Sequence, residues 1–241
     1  MAANSECFNN PPPLSSTSGP GTLLQLGGLT TYVAGPSESK LAILLISDIW
    51  GYENLNLRKI ADKVAAAGFL AVVPDFFYGD PVNPANPQFD ADIWFKIHST
   101  EKGCEDAKPL IAALKSQGVS AIGAAGFCWG GNVAVKLGKT DEIQAAVILH
   151  PGRLTDEEID QVKVPTAILG AETDKHSPAE QMKHFGDILS TKSELFDSFV
   201  KIYPGAAHGW TTKYNSEDEL AVKRAEEAHL DMLNWLTKYV K

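Results

Sequence analysis

Six short, unbroken apolar runs constrain this chain more than any other feature. They are "LAILLIS" (41–47), "LAVVPD" (70–75), "SAIGAAGF" (120–127), "AAVILHP" (145–151), "VPTAILGA" (164–171) and "SFVKIYPG" (198–205). Runs that do not alternate with polar residues mark strands buried on both faces. Between them lie stretches of helical period. In "NLNLRKIADKVAAAG" the apolar positions are Leu57, Ile60, Ala61 and Val64, with Gly68 placed to end the helix. "DAKPLIAALKSQG", "GGNVAVKLG", "PAEQMKHFGDIL" and the terminal "SEDELAVKRAEEAHLDMLNWLTKYV" follow the same logic. Strand alternating with helix implies an α/β fold, a mostly parallel central sheet with helices on both faces. Upstream, "TLLQLGGLTTYVAG" sets two shorter runs around Gly27-Gly28, the signature of an N-terminal hairpin. Residues 22–241 read as one domain. Residues 1–21, rich in Pro, Ser, Asn and Gly, read as an extended or partly ordered lead-in at the surface.

A formal net charge of −9 argues against nucleic acid and anionic membranes as partners. The first residues have neither the basic nor the apolar stretch of a secretion signal, and no run reaches the length of a membrane span, so a cytoplasmic location is expected. The three cysteines, Cys7, Cys104 and Cys128, have no CxxC or Cys/His spacing, so neither a disulfide framework nor a zinc site is expected. A small-molecule substrate is the expected partner, with no metal and no cofactor, and the chain is expected to be a monomer or homodimer.

One cysteine stands apart. In "AIGAAGFCWGGNVAVKLG", Cys128 lies between a strand and a helix, with Gly126 and Gly130 two residues to either side. With 20 glycines in 241 residues, roughly 0.02 such matches arise by chance among three cysteines. G-x-C-x-G is the nucleophile-elbow pattern with sulfur in place of oxygen: a tight turn lifts the side chain out of the sheet, and neighbours two away must be nearly bare. The N–H of Trp129 would then face the site from a helix N-terminus, which favours a thiolate and an oxyanion. Burial as a small hydrophobe is the plain alternative.

A thiol nucleophile needs a base and the base an orienting acid. His208, in the small-residue loop "YPGAAHGW" past the last apolar run, is the candidate base; His150, at the end of "AAVILHP", competes as base or pocket wall. His184 and His229 fall in helical patterns and read as surface residues, and His98 and His176 have no strand-end position. For the acid, "ILGAETD" offers Asp174 and Glu172, with Asp174 preferred as the loop residue; the plain alternative is a helix N-cap, which Asp174 or Ser177 could equally supply.

"SDIWGYENLNLRKIADKVAAAGFLAVVPDFFYGD", "GAAGFCWGG", "GAETDKHSP" and "YPGAAHGW" together resemble the dienelactone hydrolase family of α/β-hydrolases, in its plant branch, from about Leu23 to the terminus. The resemblance implies the α/β-hydrolase fold, no cofactor, and a Cys128, Asp174 and His208 triad that hydrolyses esters or lactones through an acyl-thioester. It also implies oxyanion donors at the backbone of Ile49 and Trp129, and an acidic residue, here Asp48, that holds the resting thiol. Where bacterial members clamp the substrate carboxylate with arginine and serine, this chain has Gly79 and Gly209. The expected substrate is therefore small and apolar or aromatic, walled by Trp50, Tyr52, Phe77, Tyr78 and Trp210, with Trp94 nearby. A receptor with vestigial turnover and an endo-β-glucanase, a label some plant relatives carry, are the competing readings.

Overall fold

The computed structural model of the chain describes residues 5–8, 11–15 and 19–241. Its first half comprises α1 (Ser5–Phe8), β1 (Thr22–Leu26), β2 (Leu29–Ala34), β3 (Leu41–Ile46), α2 (Leu55–Ala66), β4 (Leu70–Pro74), α3 (Ala91–Ile97) and α4 (Thr100–Ser116). The second half comprises β5 (Ala121–Phe127), α5 (Trp129–Gly138), β6 (Ala145–Leu149), α6 (Asp156–Asp160), β7 (Thr166–Thr173), α7 (Ala179–Ser190), β8 (Ser198–Ala207) and α8 (Glu219–Tyr239).

The eight strands form one sheet in the order β1-β2-β4-β3-β5-β6-β7-β8. The pairs β1–β2 and β2–β4 are antiparallel and the rest parallel, so the hairpin at Gly27-Gly28 and the parallel sheet are both as the sequence patterns imply. Alternate residues of each central strand feed opposite cores. Leu44 and Ile46 belong to the core that α4, α5 and α7 cover, whereas Ile43 and Leu45 belong to the core that α2 and α8 cover. This two-sided burial is why the runs carry no alternation.

Local chemistry sets the helix ends. Asn54 accepts hydrogen bonds from the N–H groups of Asn56 and Leu57 to start α2, and Asp218 does the same for Leu220 and Ala221 at the start of α8. Helix α4 begins earlier than the run from Asp106 suggests, because Ser99 caps it and Pro109 is accommodated inside the helix. The lead-in also differs from an extended surface segment. Ser5–Phe8 form one helical turn, and Cys7 is buried. Residues 1–4, 9–10 and 16–18 of the lead-in lie outside the described residues.

The chain leaves β3 toward β4 and returns to the other side of β3 as β5, so the strand order reverses there. In open α/β sheets the carboxyl ends of strands at such a reversal form the ligand crevice. Asp48 and Cys128 follow β3 and β5 at that point.

Candidate active site

The turn between β5 and α5 explains its glycines. Cys128 caps α5 at φ 51°, ψ −111°, a conformation that L-residues rarely adopt. A Cβ on Gly126 would stand 2.7 Å from Gly131 N and closer still to the Gly130 carbonyl. One on Gly130 would stand 2.7 Å from Ser47 O. The turn therefore packs backbone on backbone, and a residue with any side chain at either position would pry β5, α5 and β3 apart.

Strand pairing brings the partners to the cysteine. In the β7–β8 ladder Thr173 faces Ala207, so the next residues of each strand, Asp174 and His208, emerge side by side. Asp174 Oδ2 lies 2.7 Å from His208 Nδ1, and His208 Nε2 lies 3.2 Å from Cys128 Sγ. The other Asp174 oxygen accepts from the N–H groups of His176 (2.8 Å) and Ser177 (3.1 Å), so the carboxylate both shapes its turn and orients the imidazole. Both side chains are sealed from solvent. Glu172 instead points outward and accepts from Gly205 N–H at 2.8 Å.

The structure adds a second sulfur. Cys7 Sγ is 3.8 Å from Cys128 Sγ, 3.7 Å from His208 Nε2 and 3.4 Å from His176 Nε2. Sequence reasoning gave Cys7 no candidate base; the fold places two imidazoles beside it. Burial opposes a charged His208, but its hydrogen bonds to Asp174 and Cys7 outweigh this and raise its pKa to about 9. The hydrogen bond from Cys128, against burial and aided by the two imidazoles, lowers the Cys7 thiol. The same neighbour, together with burial, raises Cys128. Two thiolates this close repel, so the pair gives up one proton readily and holds the second.

Asp48 lies beside the pair, and burial raises its pKa. Its oxygens accept from Trp50 N–H (2.9 Å) and the Thr212 hydroxyl (2.8 Å), whereas the Cys128 sulfur lies within reach of His208 and Cys7. Asp48 therefore holds the turn after β3, the turn that carries Ile49, and its charge is among the causes that push the Cys128 thiol up. The backbone of Trp129 opens α5 beside Cys128.

A cavity of ≈ 90 Å³ reaches Cys7 and Cys128 and is walled by Phe8, Phe95, His98, Trp129, Arg153 and His176. This corrects the expected wall. Phe77 is fully buried among Trp94, His98 and Trp129, and Trp50 is core. Tyr52 lies against Arg58, and Tyr78 points outward over Lys102. Trp210 packs edge-on against His150 and tilted against Tyr203, and with His208 it lines a separate cleft. Trp94 is held in the core by its N–H to Asp80 O, 2.8 Å. His150 is fully buried and hydrogen-bonded to the Thr211 hydroxyl at 2.6 Å, so it supports the site from behind. His184 is at the surface, but His229 is not: it is buried against Thr211 O at 2.8 Å. The cavity residues Phe8 and Phe95 carry no elbow or strand-end signal, whereas Arg153 and His176 lie in the loops that follow β6 and β7, a signal that could have found them.

The dienelactone hydrolase family profile matches residues 29–240. The chain belongs to this family. The family makes it a hydrolase with the α/β-hydrolase fold. It is 40% identical over 199 residues to an endo-1,3;1,4-β-D-glucanase of Zea mays, a match covering 80% of this chain and 64% of the maize protein. The chain thus spans less than two thirds of that relative. It is 33% identical over 227 residues to a carboxymethylenebutenolidase homologue of Xenopus tropicalis, covering 91% of each. The solved structure of a Klebsiella pneumoniae protein classed with the dienelactone hydrolases superposes with TM-score 0.73 at 20% identity, over 91% of this chain and 98% of that one. Among the described residues no helix is long and apolar enough to cross a membrane.

Proposed function

We propose that the chain hydrolyses carboxylic esters or lactones of small apolar or aromatic acids through Cys128, His208 and Asp174. The unbroken Asp174–His208–Cys128 contact chain, 2.7 Å and 3.2 Å, carries this reading. The one negative charge of the sulfur pair exchanges between Cys7 and Cys128 through His208 Nε2, which is within 3.7 Å of both. Attack proceeds from the form charged on Cys128, beside the α5 N-terminus. The sulfur bonds to the carbonyl carbon, and the N–H groups of Ile49 and Trp129 hold the oxyanion. His208 then gives its Nε2 proton to the leaving alkoxide, and an acyl-thioester remains on Cys128. Water, deprotonated by His208, cleaves the thioester and releases the acid. The cavity of ≈ 90 Å³ suits a small acyl group, and Phe8, Phe95 and Trp129 favour an apolar one. Three free cysteines suit a reducing, cytoplasmic setting.

Glycan hydrolysis fits less well. It needs two facing carboxylates free to act as acid and base or nucleophile. Near Cys128 the carboxylates Asp48 and Asp174 are both committed to turns, to Thr212 or to His208, and Glu101 at the cavity wall is paired with Lys136 at 2.9 Å. A panel of activated esters, lactones, thioesters and mixed-linkage glucan tests the assignment with wild type and Cys128→Ala. Steady-state ester or lactone turnover that falls about 10³-fold or more in Cys128→Ala is expected. Turnover that survives in Cys128→Ala overturns the nucleophile assignment, and a single burst with retained product makes the protein a receptor.

A further inference from the structure

The second sulfur gives the site a use that hydrolysis does not need. Cys7 Sγ, Cys128 Sγ and His208 Nε2 are all buried, and they lie within 4.8 Å of one another. Their separations are those of a metal coordination shell. With Zn–S near 2.3 Å and Zn–N near 2.05 Å, a tetrahedral zinc sets its ligands about 3.8 Å apart for S–S and about 3.5 Å for S–N. The observed S–S separation is 3.8 Å, and the two S–N separations are 3.7 Å and 3.2 Å. Three corners of a tetrahedron are therefore already in place. His176 Nε2 approaches Cys7 Sγ at 3.4 Å but lies outside this group of three.

A second observation points to a cation. The Asp174 carboxylate holds His208 Nδ1–H at 2.7 Å, which turns Nε2 toward the sulfurs. Ligating histidines are supported in this way by an outer carboxylate. The donor set, two thiolates and imidazole, suits a thiophilic ion with no geometric demand of its own. The Cys/His spacing that marks zinc sites in sequence is absent, because the fold brings Cys7 to Cys128 across 121 positions.

We propose that Cys7, Cys128 and His208 bind a thiophilic divalent cation, zinc foremost, with a solvent water completing the tetrahedron. Zinc bonds to both sulfurs and to Nε2, and the protons on Cys128 and Nε2 leave to solvent; nothing is oxidised or reduced. The loss of hydrolysis that must follow rests on the catalytic reading above, since the ion occupies both nucleophile and base. The binding itself does not.

Zinc affinity is measured on reduced, metal-stripped full-length protein by competition with a chromophoric chelator. Turnover is followed alongside, and Co²⁺ substitution reports the number of thiolates. One zinc per chain, held at roughly 10⁻⁷ M or tighter, is expected. Cys7→Ser and Cys7→Ala should each weaken it by more than the roughly 10–100-fold that an outer partner such as Asp174 is worth, tested by Asp174→Asn. The sulfur-to-cobalt absorption should halve in both Cys7 variants. Unchanged affinity or cobalt absorption in the Cys7 variants, or no stoichiometric binding by the wild type, overturns the site. Because affinity is read without substrate, an absent esterase activity with intact binding refutes only the catalytic reading.

Discussion

The elbow glycines should be more sensitive than any residue that merely fills the core. In Gly126→Ala the new methyl would lie 2.7 Å from Gly131 N and closer still to the Gly130 carbonyl, where ordinary contact begins at 3.4 Å, so the helix start must retreat by more than 0.7 Å. That movement carries the first turn of α5, and with it Cys128 and the Trp129 N–H. Misplacing reacting groups by about 1 Å costs around 10²-fold, or about 2.7 kcal/mol of transition-state stabilisation. Overpacking of this kind also costs about 1–3 kcal/mol of stability. Gly138→Ala is the control. Its methyl would meet Val162 and Val164 at 3.5 Å, within ordinary contact, and it ends the same helix. It should keep turnover and gain up to about 1 kcal/mol from helix propensity. Urea unfolding gives the stability of each variant, and kcat/KM on an activated ester gives the geometry. Folded Gly126→Ala with wild-type kcat/KM would refute the close-packed elbow as the device that places the sulfur.

Two further substitutions test buried charge. Burial lowers the His229 pKa from 6.5 to about 4. A group whose folded pKa is depressed contributes stability above its unfolded value and loses it as pH falls through the folded one, so urea midpoints should drop between pH 6.5 and 4. That loss is worth about 3 kcal/mol, and His150, lowered in the same way, adds to it. His229→Gln can still donate to Thr211 O and should flatten this acid limb; an unchanged limb means His229 is not its source. In Asp48→Asn the carboxylate charge that opposes Cys128 ionisation is lost, while the amide oxygen can still accept from Trp50 N–H. Alkylation of Cys128 by iodoacetamide should quicken by up to about tenfold, and an unchanged rate reduces Asp48 to a turn-former.

What was legible in the chain is what obeys a period or a tight local constraint. Parallel strands buried on both faces announce themselves as apolar runs, and the strand-end positions of Cys128, Asp174 and His208 follow from them. Gly126 and Gly130 were readable because a backbone-on-backbone turn admits no other residue. Helix α3 leaves no mark in the sequence, since its seven residues bury only Trp94 and show no periodic face. The cavity wall is illegible for a similar reason. Phe77 and Tyr78 are adjacent in sequence, yet Tyr78 has φ 56° and swings outward while Phe77 turns into the core. His229 looked like a surface residue because a helical pattern fixes which face is apolar but not that Thr211 O waits beneath it. Cys7 was the least legible of all. It meets the site through tertiary packing of a four-residue helical turn, and no local pattern in a Pro- and Ser-rich segment encodes that contact.

Cys7 and Cys128 share one buried site, so the decisive question is which sulfur takes the acyl group. Reduced protein is mixed with a limiting activated ester, quenched in acid within the first turnovers, and its adduct located by intact mass and peptide mapping. An acyl group on Cys128, absent in Cys128→Ala and lost on further incubation at neutral pH, is the expected result. An acyl group on Cys7, or turnover with no adduct on either sulfur, would contradict Cys128 as the nucleophile.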